Sequence, residues 1–139
     1  MSGKSMSTKP VDAGSLKVGS FVMIDGEPCK VLEVERSKTG KHGSAKVRLV
    51  AVGLFDGVKR TLVVPADSKV ESPVVRKFPA QVLAKVGESS IQVMSLEDYS
   101  TFEVSMPDDP ELQQRIEPGV EVEVWEIAGR HKIMRALKR

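Results

Sequence analysis

The segment 36–48 contains the side chains of this chain that are best suited to binding or reacting with an anionic partner. It has no Asp or Glu and carries five cationic side chains, which are Arg36, Lys38, Lys41, Lys46 and Arg48. At its centre, Gly40 and Gly43 flank the pair Lys41-His42. Glycine forms tight turns and adopts positive φ at little cost, so this pattern predicts the tip of a β-hairpin. We therefore expect a two-stranded finger that presents Lys41 at its end.

The clustered cations predict contact with nucleic acid, because Lys and Arg neutralise backbone phosphates. This contact would position the chain rather than read a base sequence, since no base-discriminating set of side chains accompanies the cations. Charge alone does not explain why one lysine stands between two glycines. A backbone without side chains on both flanks leaves room for a second protein to close around Lys41, which is what a modifying enzyme requires.

Sequence motifs for catalysis are missing from the chain. Two histidines, His42 and His131, and one cysteine, Cys29, would leave a metal site dependent almost wholly on carboxylates, and no acidic cluster has metal-ligand spacing. Gly40-Lys41 is not a phosphate-binding loop, because the upstream glycine and the following Ser or Thr of that motif are absent. A Schiff-base enzyme would need a desolvated pocket around Lys41, which a tip among four other cations does not supply. We therefore predict a non-enzymatic protein without a metal site.

The charge of the chain is unevenly distributed. Residues 1–72 contain 12 basic and 8 acidic side chains, a net charge of +4, whereas residues 73–139 contain 9 and 11, a net charge of −2. This asymmetry indicates that one end meets a polyanion. The single cysteine excludes an internal disulfide framework and fits a cytoplasmic setting. No apolar run approaches the roughly 20 residues that span a bilayer, so we expect no membrane contact.

Alternating apolar and polar residues predict an all-β fold with two small barrels. Residues 1–15 begin with a stretch rich in Ser and Lys, and we expect them to form a flexible N-terminal extension. Residues 16–72 predict an SH3-like barrel of five short strands joined by tight turns, at 20–24, 29–36, 46–52, 58–64 and 67–71. The second of these strands would place Leu32 and Val34 on one face. We set the domain boundary near Pro73, where the charge balance changes sign.

Residues 73–139 predict an OB-fold, a small five-stranded barrel, with one short helix. The expected strands are 78–86, 91–94, 99–106 and 120–125, and residues 130–139 would close the chain as a basic fifth strand or a frayed tail. The helix begins after Asp109, which we expect to cap it, with Pro110 at the first helical position. Leu112 and Ile116 are four residues apart and would form its apolar stripe.

The segment 37–46, Ser-Lys-Thr-Gly-Lys-His-Gly-Ser-Ala-Lys, resembles the modification loop of the translation initiation factor 5A family, whose members contain hypusine. The resemblance extends from about Val11 to the C-terminus and includes three further short segments, which are 17–19, 26–29 and 64–65. The loop motif is highly specific, whereas the second barrel matches mainly in its pattern. Ser44 stands where eukaryotic members usually carry histidine, and together with the short C-terminal barrel this indicates an archaeal-type member.

The resemblance implies that Lys41 receives an aminobutyl group from spermidine through deoxyhypusine synthase; whether hydroxylation then converts deoxyhypusine to hypusine stays open. The residues that would shape the loop for docking are Thr39, Gly40, His42 and Gly43. Those that would contact RNA are Arg36, Lys38, Lys46 and Arg48. The family further implies an SH3-like barrel followed by an OB-fold, and binding to the ribosome beside peptidyl-tRNA, where the extended side chain promotes peptide-bond formation. We also expect a monomer without cofactor. The alternative is a general RNA-binding module that uses the basic hairpin without modification.

Overall fold

The structure, a computed structural model, describes residues 7–38 and 45–137, except for the side chain of Lys38. The chain divides into two compact units, Met1–Val74 and Val75–Arg139. This division falls two residues after the expected end of the first barrel. The described residues are mostly strand and turn, arranged as two curled sheets and one separate pair of strands, so the prediction of an all-β fold is confirmed.

Among the described residues, the first unit contains six strands and a short 3-10 turn, Ala13–Ser15. The strands are β1 (Thr8–Asp12), β2 (Phe21–Ile24), β3 (Glu27–Lys38), β4 (Ala45–Gly53), β5 (Lys59–Pro65) and β6 (Lys69–Pro73). β2, β3, β4 and β5 form an antiparallel sheet in that order, and β1 pairs with β6. Asp25 and Gly26 connect β2 to β3 with φ values of 54° and 79°, as a tight two-residue hairpin turn requires.

Strand β1 corrects the prediction that residues 1–15 form a flexible extension. It pairs with β6 along its whole length, Val11 packs against the core, and Ala13 is buried in the turn that follows. The sequence pattern was too weak to show this, because the segment has few apolar residues and its pairing partner is distant in the chain. Residues 1–6 lie outside the described residues.

The core of the first unit is formed by one face of the curled sheet. Its buried members are Leu16, Val22, Ile24, Cys29, Val31, Val47, Leu49 and Ala51. A β-bulge between Val31 and Glu33 shifts the alternation of β3 and leaves Leu32 39% exposed, while Val34 packs against the core. The expectation that Leu32 and Val34 share a face is therefore wrong. A bulge inserts a residue that a two-residue period does not anticipate.

Among the described residues, the second unit contains five strands and one helix. The strands are β7 (Val75–Val86), β8 (Ser90–Ser95), β9 (Thr101–Ser105), β10 (Glu121–Ile127) and β11 (Arg130–Ala136), in the sheet order β11–β10–β7–β8–β9. The helix α1 (Pro110–Arg115) lies between β9 and β10 in the chain. Its cap is the predicted one, because the Asp109 side chain accepts a hydrogen bond from the backbone N–H of Glu111 at 3.0 Å. This order of strands, with the helix after the third, is that of an OB-fold.

The core of the second unit is formed by buried side chains of its curled sheet and of Ile116. Its buried members are Phe78, Ala80, Val82, Ile91, Val93, Val104, Ile116, Val122, Val124 and Ile133. Ile116, which follows the last residue of α1, is buried in this core, and Leu112 packs against the core, as the predicted apolar stripe requires. The edge strands β9 and β11 meet where Phe102 stacks on His131, with ring centroids 4.3 Å apart. Aromatic contact therefore joins the two edges of the barrel.

Candidate functional site

The predicted finger is the β3–β4 hairpin. Its strands pair from Cys29↔Gly53 to Lys38↔Ala45, so the two described ends of the connection 39–44 lie opposite each other. Lys41, the expected site of modification, lies outside the described residues. So do the four residues expected to shape the loop, which are Thr39, Gly40, His42 and Gly43. The structure thus describes the stem of the hairpin, and the assignments at its tip stay predictions.

Strand β4 holds the stem in place, because it lies between β3 and β5 in the sheet. Val47, Leu49 and Ala51 are fully buried on its inner face. Side chains alternate along a strand, so Lys46 and Arg48 are exposed on the outer face. The structure therefore brings together two of the four cations that the sequence assigned to RNA contact.

The outer face also carries a negative charge that the sequence analysis missed. Glu35 lies opposite Arg48 in the register, and Glu35 Oε1 is 3.3 Å from Arg48 Nη1. The segment 36–48 contains no acid, but pairing brings one from the position just before it. Both side chains are largely exposed, at 46% for Arg48 and 68% for Glu35. Such surface pairs contribute about 0.2–1 kcal/mol, so Arg48 can exchange Glu35 for a phosphate at little cost.

A surface depression of about 380 Å³ lies on this part of the stem. It is lined by Glu35, Arg36, Ser37, Lys46, Arg48 and Val63. An ammonium, a guanidinium and a hydroxyl group can together hold a phosphate through charge-assisted hydrogen bonds. The carboxylate of Glu35 opposes an anion at the same place. The site therefore suits reversible contact with a nucleic-acid backbone.

Arg36 borders this depression, but its guanidinium is directed elsewhere. Arg36 Nη2 donates a hydrogen bond to the carbonyl oxygen of Gly14 at 2.7 Å and lies 3.3 Å from that of Leu16. Its partner in the register is Val47, whose side chain faces the core. The Arg36 guanidinium is thus directed toward the segment that contains Gly14 and Leu16, while the residue stays exposed at the border of the depression.

The sequence analysis missed two contacts, that of Glu35 with Arg48 and that of Arg36 with the backbone of Gly14. The first of them had a signal in the sequence. The stem register is symmetric about the centre of the Gly-Lys-His-Gly motif, so folding the sequence at that point would have placed Glu35 opposite Arg48. The contact of Arg36 had no such signal. Its acceptors are backbone carbonyls 22 and 20 residues away, which carry no residue type that a pattern could reveal.

A second charged group lies at the opposite end of β4. The Arg60 guanidinium donates two hydrogen bonds to the Asp56 carboxylate, from Nη2 to Oδ2 at 2.9 Å and from Nη1 to Oδ1 at 3.2 Å. These bonds, with one from the backbone N–H of Val58, lower the pKa of Asp56 to about 2. A Cβ on Gly53 would overlap the Asp56 carboxylate, so a side chain at position 53 would displace that carboxylate from its present place. This cluster fastens the turn after β4 and lies at the end of the stem away from Lys41.

Two groups with catalytic potential are held in their neutral forms. Burial raises the pKa of the Cys29 thiol, which makes it a poor nucleophile. Burial also lowers the pKa of His131, helped by Arg76 and opposed by Glu126. Within residues 7–38 and 45–137, no group of three or more His, Cys, Asp or Glu side chains is placed to hold a metal ion. In the same part of the chain, no helix is long and apolar enough to cross a membrane.

Comparison with protein families gives two matches, one for each unit. The family described as "Translation initiation factor 5A-like, N-terminal" matches residues 6–68. The family described as "Eukaryotic elongation factor 5A hypusine, DNA-binding OB fold" matches residues 74–136. The first match includes the whole β3–β4 hairpin and its connection.

Similar proteins of known name and structure agree with these matches. A translation initiation factor 5A from Thermofilum pendens is 64% identical over 130 residues, which is 94% of this chain and 98% of the relative. One from Pyrobaculum aerophilum is 59% identical over 131 residues, or 94% of each chain. A solved structure of the eukaryotic translation initiation factor 5A from Methanococcus jannaschii has a TM-score of 0.85 at 46% identity, covering 94% of this chain and 96% of that one. A family member from Naegleria fowleri has a TM-score of 0.78 at 34% identity, covering 95% and 99%.

Proposed function

We propose that this chain, which belongs to the translation initiation factor 5A family, binds the ribosome beside peptidyl-tRNA and promotes peptide-bond formation without being an enzyme itself. Its working group would be Lys41, extended by an aminobutyl group that deoxyhypusine synthase transfers from spermidine. The observation that carries this proposal is the intact Ser-Lys-Thr-Gly-Lys-His-Gly loop motif in a chain 64% identical to a named family member.

The chemistry of the extended lysine supports this role. A lysine is a flexible point charge on a thin stem. A second amine at its end would give two cations that can pass between RNA phosphates. The glycines on both sides of Lys41-His42 would leave room for the synthase to close around the lysine. Hydroxylation of the added group would leave this electrostatic role unchanged.

The stem of the hairpin supplies the contacts that would guide Lys41. Lys46 and Arg48 share the exposed outer face beside the depression of about 380 Å³, which suits a tRNA or ribosomal RNA backbone phosphate. We propose Lys38 as a further RNA contact. The bond between Arg36 and Gly14 supports a different role for Arg36. We further propose a monomer that works in the cytoplasm.

The direct test is the mass of the peptide that contains Lys41, taken from protein purified from its natural host. We expect the mass to rise by an aminobutyl group, with or without one added oxygen. Unmodified Lys41 in that material would overturn the proposal. Protein made in the same host with Lys30→Arg, an exposed lysine at the start of β3, serves as the control and should be modified normally.

The general RNA-binding module is separated from the translation factor by Lys41→Arg. Arginine keeps the positive charge but does not accept the aminobutyl group. The variant should therefore lose activity in a ribosome-based assay of peptide-bond formation while its salt-dependent affinity for RNA stays nearly unchanged. Full activity of Lys41→Arg would favour the general module, whereas family membership favours the translation factor.

A further inference from the structure

We propose that Arg36 is a positioning residue, which ties the stem of the β3–β4 hairpin to the N-terminal segment 13–16 and so holds the two ends of the connection 39–44 in register. We call the segment 13–16 the brace. The inference rests on the proposed function, because modification of Lys41 is its readout. It assigns to the brace a part in presenting the loop to the modifying enzyme.

The stem and the brace are joined in a ring that consists of three hydrogen bonds and one strand pair. Arg36 on β3 donates to Gly14 O at 2.7 Å, and Gly14 N–H in turn donates to Ala66 O at 2.8 Å. The N–H of Ala66 then donates to Ala45 O at 2.8 Å. Ala45, the first residue of β4, pairs with Lys38 at the end of β3. The ring thus returns to β3 at Lys38, two residues from Arg36 and the last described residue before the connection 39–44.

The brace is a packed part of the first unit. Ala13 is fully buried and Leu16 belongs to the core. Gly14 touches Ala66 so closely that an added Cβ would lie 3.1 Å from both the Cβ and the carbonyl oxygen of Ala66. The N–H of Ala13 also donates to Ser68 O at 2.9 Å. Arg36 therefore ties the end of the stem to the brace, which is itself held by packing and by backbone hydrogen bonds.

The chemistry of the contact favours arginine at position 36. A guanidinium has several N–H groups in a rigid plane, and here it reaches the carbonyl oxygens of Gly14 and Leu16 with one nitrogen. Methionine would keep most of the side-chain length and remove every donor. Lysine would keep the charge and could reach one of the two carbonyls.

Losing this contact should affect recognition rather than the chemical step. When the ring opens, the pair formed by Lys38 and Ala45 at the end of the stem can fray, and the fraction of chains with a properly presented loop falls. The apparent affinity of the modifying enzyme falls by the same fraction. Once the enzyme has bound the loop, the transfer to Lys41 proceeds at the natural rate. A raised KM with an unchanged kcat is therefore the expected signature.

The experiment measures steady-state modification of the full chain by deoxyhypusine synthase with spermidine, with the chain as the varied substrate. Mass spectrometry of the peptide that contains Lys41 gives the product. For Arg36→Met we expect KM to rise about 5- to 10-fold, a tenfold rise being about 1.4 kcal/mol, with kcat changed less than about twofold. Lys30→Met removes an exposed cation from the same strand and should change neither constant. Arg36→Lys should give an intermediate KM.

A second variant and a local probe separate the brace from a general loss of folding. Gly14→Ala keeps Arg36 but presses position 14 against Ala66, so it should raise KM as well. All assays are run well below the unfolding transition of each variant. Amide hydrogen exchange should become faster at Ala66 in Arg36→Met than in the natural chain, while exchange at Val31, whose N–H bonds to Ser20 O in the core region, should stay unchanged.

The outcomes are distinct. If the natural chain is modified and Arg36→Met has an unchanged KM, the brace has no part in recognition and the inference is overturned. An equal rise of KM in Lys30→Met would show a general charge effect and would overturn it too. If the natural chain is not modified at all, the proposed function fails instead.

Discussion

Replacing Glu35 by Gln should strengthen RNA binding, although it breaks an ion pair. The Glu35 carboxylate lies 3.3 Å from the Arg48 guanidinium, so a phosphate bound by Arg48 would stand about 6 Å from that carboxylate, given hydrogen bonds of about 2.8 Å. Their repulsion in water at this distance is about 0.7 kcal/mol. Screening over a Debye length of about 8 Å at physiological salt reduces it to about 0.3 kcal/mol.

The same substitution frees Arg48 from a competitor. Breaking an exposed ion pair costs the free protein about 0.2–1 kcal/mol, and RNA no longer has to break that pair on binding. The lost repulsion applies if the pair persists in the complex, and the cost of breaking the pair applies if RNA displaces Glu35. The gain in binding free energy therefore lies between about 0.3 and 1 kcal/mol, which is about 2- to 5-fold in Kd. The free energy of unfolding should fall by no more than the about 0.2–1 kcal/mol that such an ion pair contributes.

Fluorescence anisotropy of labelled tRNA, titrated at several salt concentrations, measures this change. Glu71→Gln is the matched control, because Glu71 is exposed on β6 of the same unit and its loss changes the net charge equally. We expect Glu35→Gln to bind clearly more tightly than Glu71→Gln, with a difference that shrinks as salt rises. Unchanged or weaker binding of Glu35→Gln, or an equal gain in Glu71→Gln, would refute the placement of the RNA phosphate beside Arg48.

Three further predictions concern stability. Ile116→Ala removes three carbons from a fully buried site and should cost about 3 kcal/mol, seen as a lower urea midpoint in the fluorescence of Trp125, the single tryptophan. Asp56→Asn should destabilise the chain at neutral pH but not near pH 2 in urea titrations. The reason is that folding lowers the pKa of Asp56 from 3.8 to about 2, so its contribution is complete above about pH 4 and is lost as the pH falls toward 2. His131→Phe should remove the loss of stability that the natural chain shows as the pH falls below about 6.5, because burial lowers the pKa of His131 and protonation then favours the unfolded chain. If His131→Phe kept this pH dependence, the loss of stability could not be assigned to protonation of His131.

Local features were predictable because each depends on neighbouring residues. The Asp25-Gly26 turn follows from two residues that tolerate positive φ. The start of α1 follows from the capping side chain of Asp109. Strand β10 follows from strict alternation of valine and glutamate, which a half-buried sheet requires. The loop motif around Lys41 indicates the family from the sequence alone, since a specific run of residues is recognisable without knowledge of the fold.

The sequence by itself thus determined the strand-rich fold class, the short helix and the family, while tertiary structure alone decided how the stem of the β3–β4 hairpin is held in place. Strand β1 became visible only through its pairing with β6, and the exposure of Leu32 only through a bulge. Arg36 was read as an RNA contact, yet its guanidinium meets the backbone carbonyl of Gly14. The physical reason is the same in each case. These contacts depend on which backbone lies nearby in space, and backbone groups are alike in every residue, so no pattern of side chains records them.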